Sequence, residues 1–376
     1  MIIKKILFIL HVPPPVHGAS MMGRYVMESR KINETFDCSY INLTTASNIE
    51  DISNFRTGKI FSFLKLYWKV LTSVAVNRYD LCYLTINSHG AGFYKEIIIV
   101  FILKLFRCRI VFHYHNKGVT KGQSNRFLNR IYRFQFRNEK VILLSKLLYP
   151  DISIYLSENN VYYCPNGVPD LKRTGSDDVM LKNSSNSVPE ILFLSNMMKE
   201  KGVIVLLDAC RLLKKRNIRF SMNFVGAWAN ISEKDFNSYV ELNDLNNVVK
   251  YSGKKYNDEK DNSFRKADVF IHPTLNDCFP LVIIEAMKFG LPVISTNEGA
   301  IPEIVKDNYN GFLVPKNDPE ALAIKITELI NDPYLRLEMG RCGRRRFEEH
   351  YTVENFEQNF VKALNEIAPD FAGPKG

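Results

Sequence analysis

The chain has no two cysteines spaced Cys-x-x-Cys, no Asp-x-Asp pair, and no apolar run as long as a membrane span. Each absence excludes something. Seven cysteines, odd in number and scattered at 38, 82, 108, 164, 210, 278 and 342, suggest neither a disulfide framework nor a zinc site, and they fit a reducing cytoplasm. The run 97–106 is broken by Lys104 and bounded by Glu96 and Arg107, whereas a spanning helix needs roughly 20 apolar residues. No transmembrane helix is expected. Lys4-Lys5 and the apolar residues 6–12 have the outline of a secretory signal, but Pro13-Pro14-Pro15 follows without a small-residue cleavage site. A first buried parallel strand accounts for that run better. Also missing are Gly-x-Gly-x-x-Gly, a phosphate loop ending in Lys and Ser or Thr, an RNP motif and any repeat of fixed period.

Acidic residues are scarce in the first half. Residues 1–165 hold 22 Lys+Arg against 10 Asp+Glu, a net +12, and the remainder holds 28 against 30, a net −2. With apolar residues interleaved and no nucleic-acid signature, a basic half of this kind suits an anionic membrane better than nucleic acid, and plain solubilisation is the competing reading. Arg126, Arg130, Arg133 and Arg137 fall at helical spacing with Phe127, Tyr132 and Phe134 between them. That row fits a basic face against lipid headgroups or a lipid-diphosphate acceptor, and equally the solvated side of a helix whose apolar side is in the core.

At 376 residues the chain suits two domains rather than one core. Short apolar runs at 6–12, 81–85, 109–113 and 141–144, then at 190–194, 220–225, 248–252, 268–272 and 292–296, alternate with amphipathic stretches. This predicts an α/β fold of two doubly wound domains. A tract rich in Ser, Asn and Asp at 173–189 reads as a linker, and Phe356, Phe360 and Leu364 recur on one face of a last helix.

The most informative stretch is 268–295. An apolar run ending at His272 leads through a loop from Pro273 to Asp277; Pro280 suits the first helical position, Gly290 ends that helix and Pro292 stops it. Strand, loop, helix and strand in that order aim the amides of Leu281 and Val282 and the positive end of the helix dipole at the pocket above a parallel sheet. A diphosphate fits there, with Asp277 and Glu285, eight positions apart, accepting hydrogen bonds from sugar hydroxyls.

This segment resembles the donor-site signature of family 4 retaining glycosyltransferases with the GT-B fold, in which Glu, seven residues and Glu precede Ala-Met and Gly-x-Pro-Val. Residues 297–305, 310–314, 318–322 and Lys201-Gly202 resemble other blocks of that family. Asp277 stands where the family has its first Glu, and Ser195-Asn196 where it usually has Gly-Arg. The resemblance implies two facing Rossmann-like domains: an acceptor domain at 1–168, a nucleotide-sugar donor domain at 169–350, a helix at 351–368 crossing back to the first domain, and a loose tail at 369–376. It implies retention of configuration and no metal or other cofactor.

Within that family picture the donor-binding residues are Gly18, Asn196, Lys201, Asp277, Phe279, Pro280, Leu281, Val282 and Glu285, and the catalytic ones His115, Lys201 and Glu285. Gly18 follows the first strand in a loop resembling the one that closes over the donor diphosphate, with His17 where a second glycine is common. His115 looks like the family's histidine near the sugar. It lies two positions after His113 and so on the same side of a strand; His113 reads as a buried structural residue. The Lys201 ammonium would neutralise charge on the leaving diphosphate, the task a divalent metal performs elsewhere, while Asn196 offers a hydrogen bond without charge. The expected activity is transfer of a sugar from a nucleotide sugar to a glycan or lipid-linked saccharide in surface polysaccharide synthesis, at the cytoplasmic face of the membrane and without nucleic acid. Nucleotide-sugar binding without transfer, and a same-fold epimerase, are the alternatives.

Overall fold

Continuous apolar runs bounded by turn residues become parallel strands because such strands are covered on both faces. In this computed structural model, which describes residues 3–44, 57–171 and 188–368, every strand pairing is parallel. All but the last two residues of the expected linker at 173–189, and the tail at 369–376, lie outside the described residues. The chain divides into two units, Met1–Gly167 with Val353–Gly376, and Val168–Thr352.

The first unit runs β1 (Lys5–Leu10), α1 (Gly18–Glu28), α2 (Arg30–Thr35), β2 (Asp37–Asn42), α3 (Thr57–Val76), β3 (Leu81–Ile86), α4 (Gly90–Leu105), β4 (Ile110–Tyr114), α5 (Arg126–Phe136), β5 (Lys140–Leu143) and β6 (Val161–Tyr163). Its sheet has the order β2-β1-β3-β4-β5-β6. Right-handed crossovers place α3, α4 and α5, whose connections all step the same way across the sheet, on one face, and α1 and α2 on the other. The order reverses at β1 and β3, so a crevice opens beyond their carboxyl ends, where His11 and Asn87 follow the strands.

The second unit runs β7 (Glu190–Leu194), α6 (Val203–Lys215), β8 (Ser221–Val225), α7 (Glu233–Leu242), β9 (Val249–Tyr251), α8 (Asn257–Lys266), β10 (Val269–His272), α9 (Leu281–Lys288), β11 (Val293–Thr296), α10 (Ile301–Ile304), β12 (Gly311–Val314), α11 (Pro319–Asn331) and α12 (Pro333–His350). Its order is β12-β11-β10-β7-β8-β9, with the reversal at β7 and β10. Phe193, Phe224, Ile271, Ile294 and Phe312 from its strands are buried with Leu206, Leu213 and Ile326 from its helices. The last helix, α13 (Val353–Ile367), belongs to the first unit, where Phe360 packs edge-on to Tyr83 at 5.2 Å and stacks with Phe356 of its own face at 5.3 Å. The α/β fold of two parallel six-stranded sheets is therefore as the sequence pattern requires.

Candidate active site

In the second unit the loops after β7 and β10 meet at the switch point. Gly202 has φ 78°, and a Cβ there would lie 2.0 Å from the Pro273 carbonyl oxygen, so the two loops approach this closely only with glycine. The Leu275 amide and the Thr274 hydroxyl donate to the Glu200 carbonyl at 2.8 and 3.0 Å, which pins Lys201 over the second loop. Its Nζ donates to Asp277 Oδ2 at 2.6 Å. His272, buried at the end of β10, reaches the same oxygen through Nε2 at 3.1 Å, and the Cys278 amide donates to Oδ1 at 3.0 Å.

Burial alone would raise the Asp277 carboxyl, but the His272 hydrogen bond and the Lys201 charge hold it well below the usual carboxylate range. An ionised carboxylate only accepts, so Nε2 carries the His272 proton. Burial lowers the imidazole despite Asp277, and the unprotonated, buried Nδ1 is left without a partner. Asp277, expected to receive sugar hydroxyls, has one oxygen shared by Lys201 and His272. Its amide faces Glu298, which is paired with Lys316.

Helix α9 begins one residue later than the sequence suggests. Pro280 is its N-cap, with φ −71° and ψ 112°, and no side chain caps it. The amides of Leu281 and Val282 are thus the first two of the helix, which have no intrahelical acceptor. Phe279 and Pro280 are buried beneath the turn. Gly290, at φ 67°, ends the helix, and the Leu291 amide returns to the Ala286 carbonyl at 3.1 Å before Pro292. Glu285 lies one turn above Leu281 on the same side of α9. Its Oε1 accepts from Lys260 Nζ at 2.6 Å, while Oε2 is sealed from water with no partner. Asn196 is half-buried in the loop after β7.

In the first unit, His115 follows β4, and its ring lies 4.2 Å from that of His113. His113 is fully buried and its Nδ1 meets the Tyr83 hydroxyl at 2.7 Å, a structural bond. His115 keeps some contact with solvent, but its Nδ1 is sealed off and unpartnered; burial, then His11 and His17, lower its pKa to about 3. Gly18 opens α1. The residue shaping this loop is His17, whose Nδ1 accepts from the Ser20 amide at 3.2 Å while Ser20 Oγ accepts from the His17 amide at 3.0 Å, a capping box built on imidazole. Close contact occurs at Gly23, where a Cβ would be 1.9 Å from the His11 carbonyl oxygen. Sequence reading also missed Glu96, which is buried, accepts from the Asn87 amide at 2.6 Å and lies 3.3 Å from His11 Nε2.

A histidine depressed in the folded state binds its proton only after unfolding. His115 therefore favours the fold above about pH 6.5, and that stability is lost as pH falls toward its folded value of about 3. The unfolding free energy should fall between pH 6.5 and 5, before most carboxylates titrate, by up to about 1.4 kcal/mol per pH unit from this one group, and the melting temperature should fall with it. His115→Gln should make that limb shallower without removing it, since burial depresses His17, His113 and His272 as well, and a limb unchanged by the substitution would show that His115 titrates as in the unfolded chain.

Two six-stranded parallel sheets with crevices at their switch points define the GT-B class, and solved structures share the fold. A glycosyltransferase from Rickettsia africae has a TM-score of 0.73 at 18% identity, covering 98% of this chain and 100% of that one. HepE from Anabaena, solved with UDP-glucose, has 0.71 at 18% identity, covering 96% and 100%. Residues 181–346, which carry Lys201, Asp277 and Glu285, match the family described as "Glycosyl transferases group 1". A curated relative, the putative colanic acid biosynthesis glycosyltransferase WcaL of Salmonella typhimurium, is 30% identical over 177 residues, 44% of this chain and 43% of its own length. The chain spans about half the length of the curated relatives it matches.

Proposed function

We propose that the protein is a retaining, metal-independent glycosyltransferase of family 4 type. It moves a sugar from a nucleotide sugar to a saccharide or lipid-linked acceptor of a surface polysaccharide, with its basic first unit against an anionic membrane. The observation that carries this is the second unit's Lys201–Asp277 pair beside the leading amides of α9, with the unpartnered Oε2 of Glu285 one turn along that helix, in residues that match the group 1 family. Lys201 and those amides stabilise the departing diphosphate, Glu285 accepts from the donor's hydroxyls, and neutral His115 hydrogen-bonds the transferred sugar. The UDP-glucose held by the Anabaena neighbour and the colanic acid biosynthesis in the WcaL name support the donor and acceptor classes.

The cation facing the diphosphate is supplied by the chain. Among the described residues no three His, Cys, Asp or Glu side chains group as a metal site would need. Transfer should accordingly survive EDTA, and loss restored by Mg²⁺ or Mn²⁺ would refute the metal-free mechanism. The reading itself is tested by thermal shift against nucleotides and nucleotide sugars, since a ligand at a hundred times its Kd adds roughly 2.7 kcal/mol. One nucleotide sugar should raise the Tm and be consumed only when acceptor is present. Binding with no transfer to any saccharide, or conversion of the donor alone, would replace the reading by the binding or epimerase alternative.

A further inference from the structure

Helices α3, α4 and α5 share one face of the first sheet, and their sequences hold eight Lys or Arg against a single acidic residue, Glu96. Glu96 is fully buried on the sheet side, so the outer face of this layer presents no carboxylate of its own helices. The same outer face is apolar. On α4, Tyr94, Ile98, Phe101 and Leu105 recur at helical spacing opposite the buried Glu96, Ile99 and Leu103, and Leu105 is 79% exposed. On α3, Phe61, Leu64 and Trp68 do the same opposite Leu66, Val70 and Val74, and Trp68 is 67% exposed.

The helices lie side by side. Tyr67 donates to the Lys95 carbonyl at 3.1 Å, and the Phe101 and Phe134 rings stack at 4.4 Å, so the two stripes and the basic row of α5 form one surface. A helix that is apolar all round is ordinarily covered on every side, yet α4 is covered on one. Arg126, Arg130, Arg133 and Arg137 are all exposed beside it.

We infer that this outer face of α3 and α4 is a lipid-insertion surface. It seats the exposed side chains among the acyl chains of an anionic bilayer, while Lys65, Lys69 and the α5 arginines meet the headgroups. The inference rests on the membrane contact proposed above and places it. Charge complementarity selects this occupant. A second copy docked on the same face would set two basic, acid-free helix layers against each other, since a two-fold interface pairs a patch with itself. A phosphate backbone would find no partner for Leu64, Ile98 and Leu105. Aliphatic stripes rimmed by Lys and Arg are what an interfacial layer needs.

The test uses Trp68, one of two tryptophans; the other, Trp228, stacks on Tyr251 in the second unit. In Trp228→Phe protein, phosphatidylcholine vesicles containing phosphatidylglycerol should shift Trp68 emission to the blue, and brominated acyl chains should quench it. Pure phosphatidylcholine should do neither at low protein concentration. Trp68→Ser with Ile98→Ser and Leu105→Ser should weaken co-sedimentation at least about tenfold, and part of the wild-type binding should survive salt that releases headgroup contacts. If Trp228→Phe fails to fold, wild type minus Trp68→Phe reads the same signal. Co-sedimentation with unchanged Trp68 emission would overturn this face and leave the membrane contact standing. Absence of co-sedimentation would overturn both. A blue shift that follows protein concentration without vesicles, with a dimer mass in ultracentrifugation, would assign the face to a second copy.

Discussion

Lys201→Met should lower transfer by roughly a hundredfold or more, the usual cost of losing one preorganised group that stabilises transition-state charge. It should also lower stability. The lysine is 24% exposed and its partner 14%, so the substitution leaves the Asp277 carboxylate largely buried with only His272 and the Cys278 amide. Removing one member of a buried pair typically costs 3–5 kcal/mol, and partial exposure places this one near about 3. The two effects separate in a double variant. Lys201→Met with Asp277→Asn leaves no uncompensated charge, so the Tm should recover most of its loss, while transfer should stay low because the cation facing the diphosphate is still missing. Recovery of transfer along with the Tm would reduce Lys201 to a strut for the loop. Acid should act in the same direction as the first substitution. The Asp277 carboxyl is depressed in the fold, so its contribution is complete above the ordinary carboxylate range and fades as pH falls through the folded value.

What the sequence revealed of the fold follows burial. The strands read from apolar runs are the interior ones, β1, β3, β4 and β5 in the first sheet and β7, β8, β10 and β11 in the second, with β9 the one edge strand among them. The three left unread, β2, β6 and β12, are all edge strands. An edge strand has solvent along one side, and β2, with residues 37 to 40 and 42 exposed or half-buried, has no continuous apolar run to show. β6 is three residues long, and β12 was visible only as a resembling block.

The site was legible one residue at a time and not as pairs. Lys201 and Asp277 each stood out, but they are 76 positions apart, and only the closure of two loops on Gly202 shows that one neutralises the other. His272 read as the end of an apolar strand. Lys260 sits in α8, where acidic and basic residues so dominate that the helix looks solvated on every side. The His17 cap was hidden for a different reason. Helix starts are sought at Ser, Thr, Asp and Asn, and here imidazole takes that place.

Glu285→Gln is the second large expected effect. Glutamine keeps the length of the side chain and an acceptor oxygen, and it removes the charge that makes the unpartnered Oε2 a strong acceptor for a hydroxyl. Transfer should fall at least about tenfold, equivalent to about 1.4 kcal/mol in the transition state. Lys260 can turn its ammonium to solvent, since both it and Glu285 are partly exposed, so the Tm should move little. Where the loss appears tells which hydroxyl is held. If Glu285 grips the ribose, the Kd of the free nucleotide rises by the same factor as the KM for the nucleotide sugar, and kcat is spared. If it grips the transferred sugar, the free nucleotide binds as before and kcat falls. Lys260→Met separates the carboxylate from its neighbour: it keeps the Glu285 charge, so it should cost much less than Glu285→Gln. Equal losses in the two variants would mean that the ion pair, rather than the carboxylate, is what the donor needs, and an unchanged rate in Glu285→Gln would remove Glu285 from the donor site.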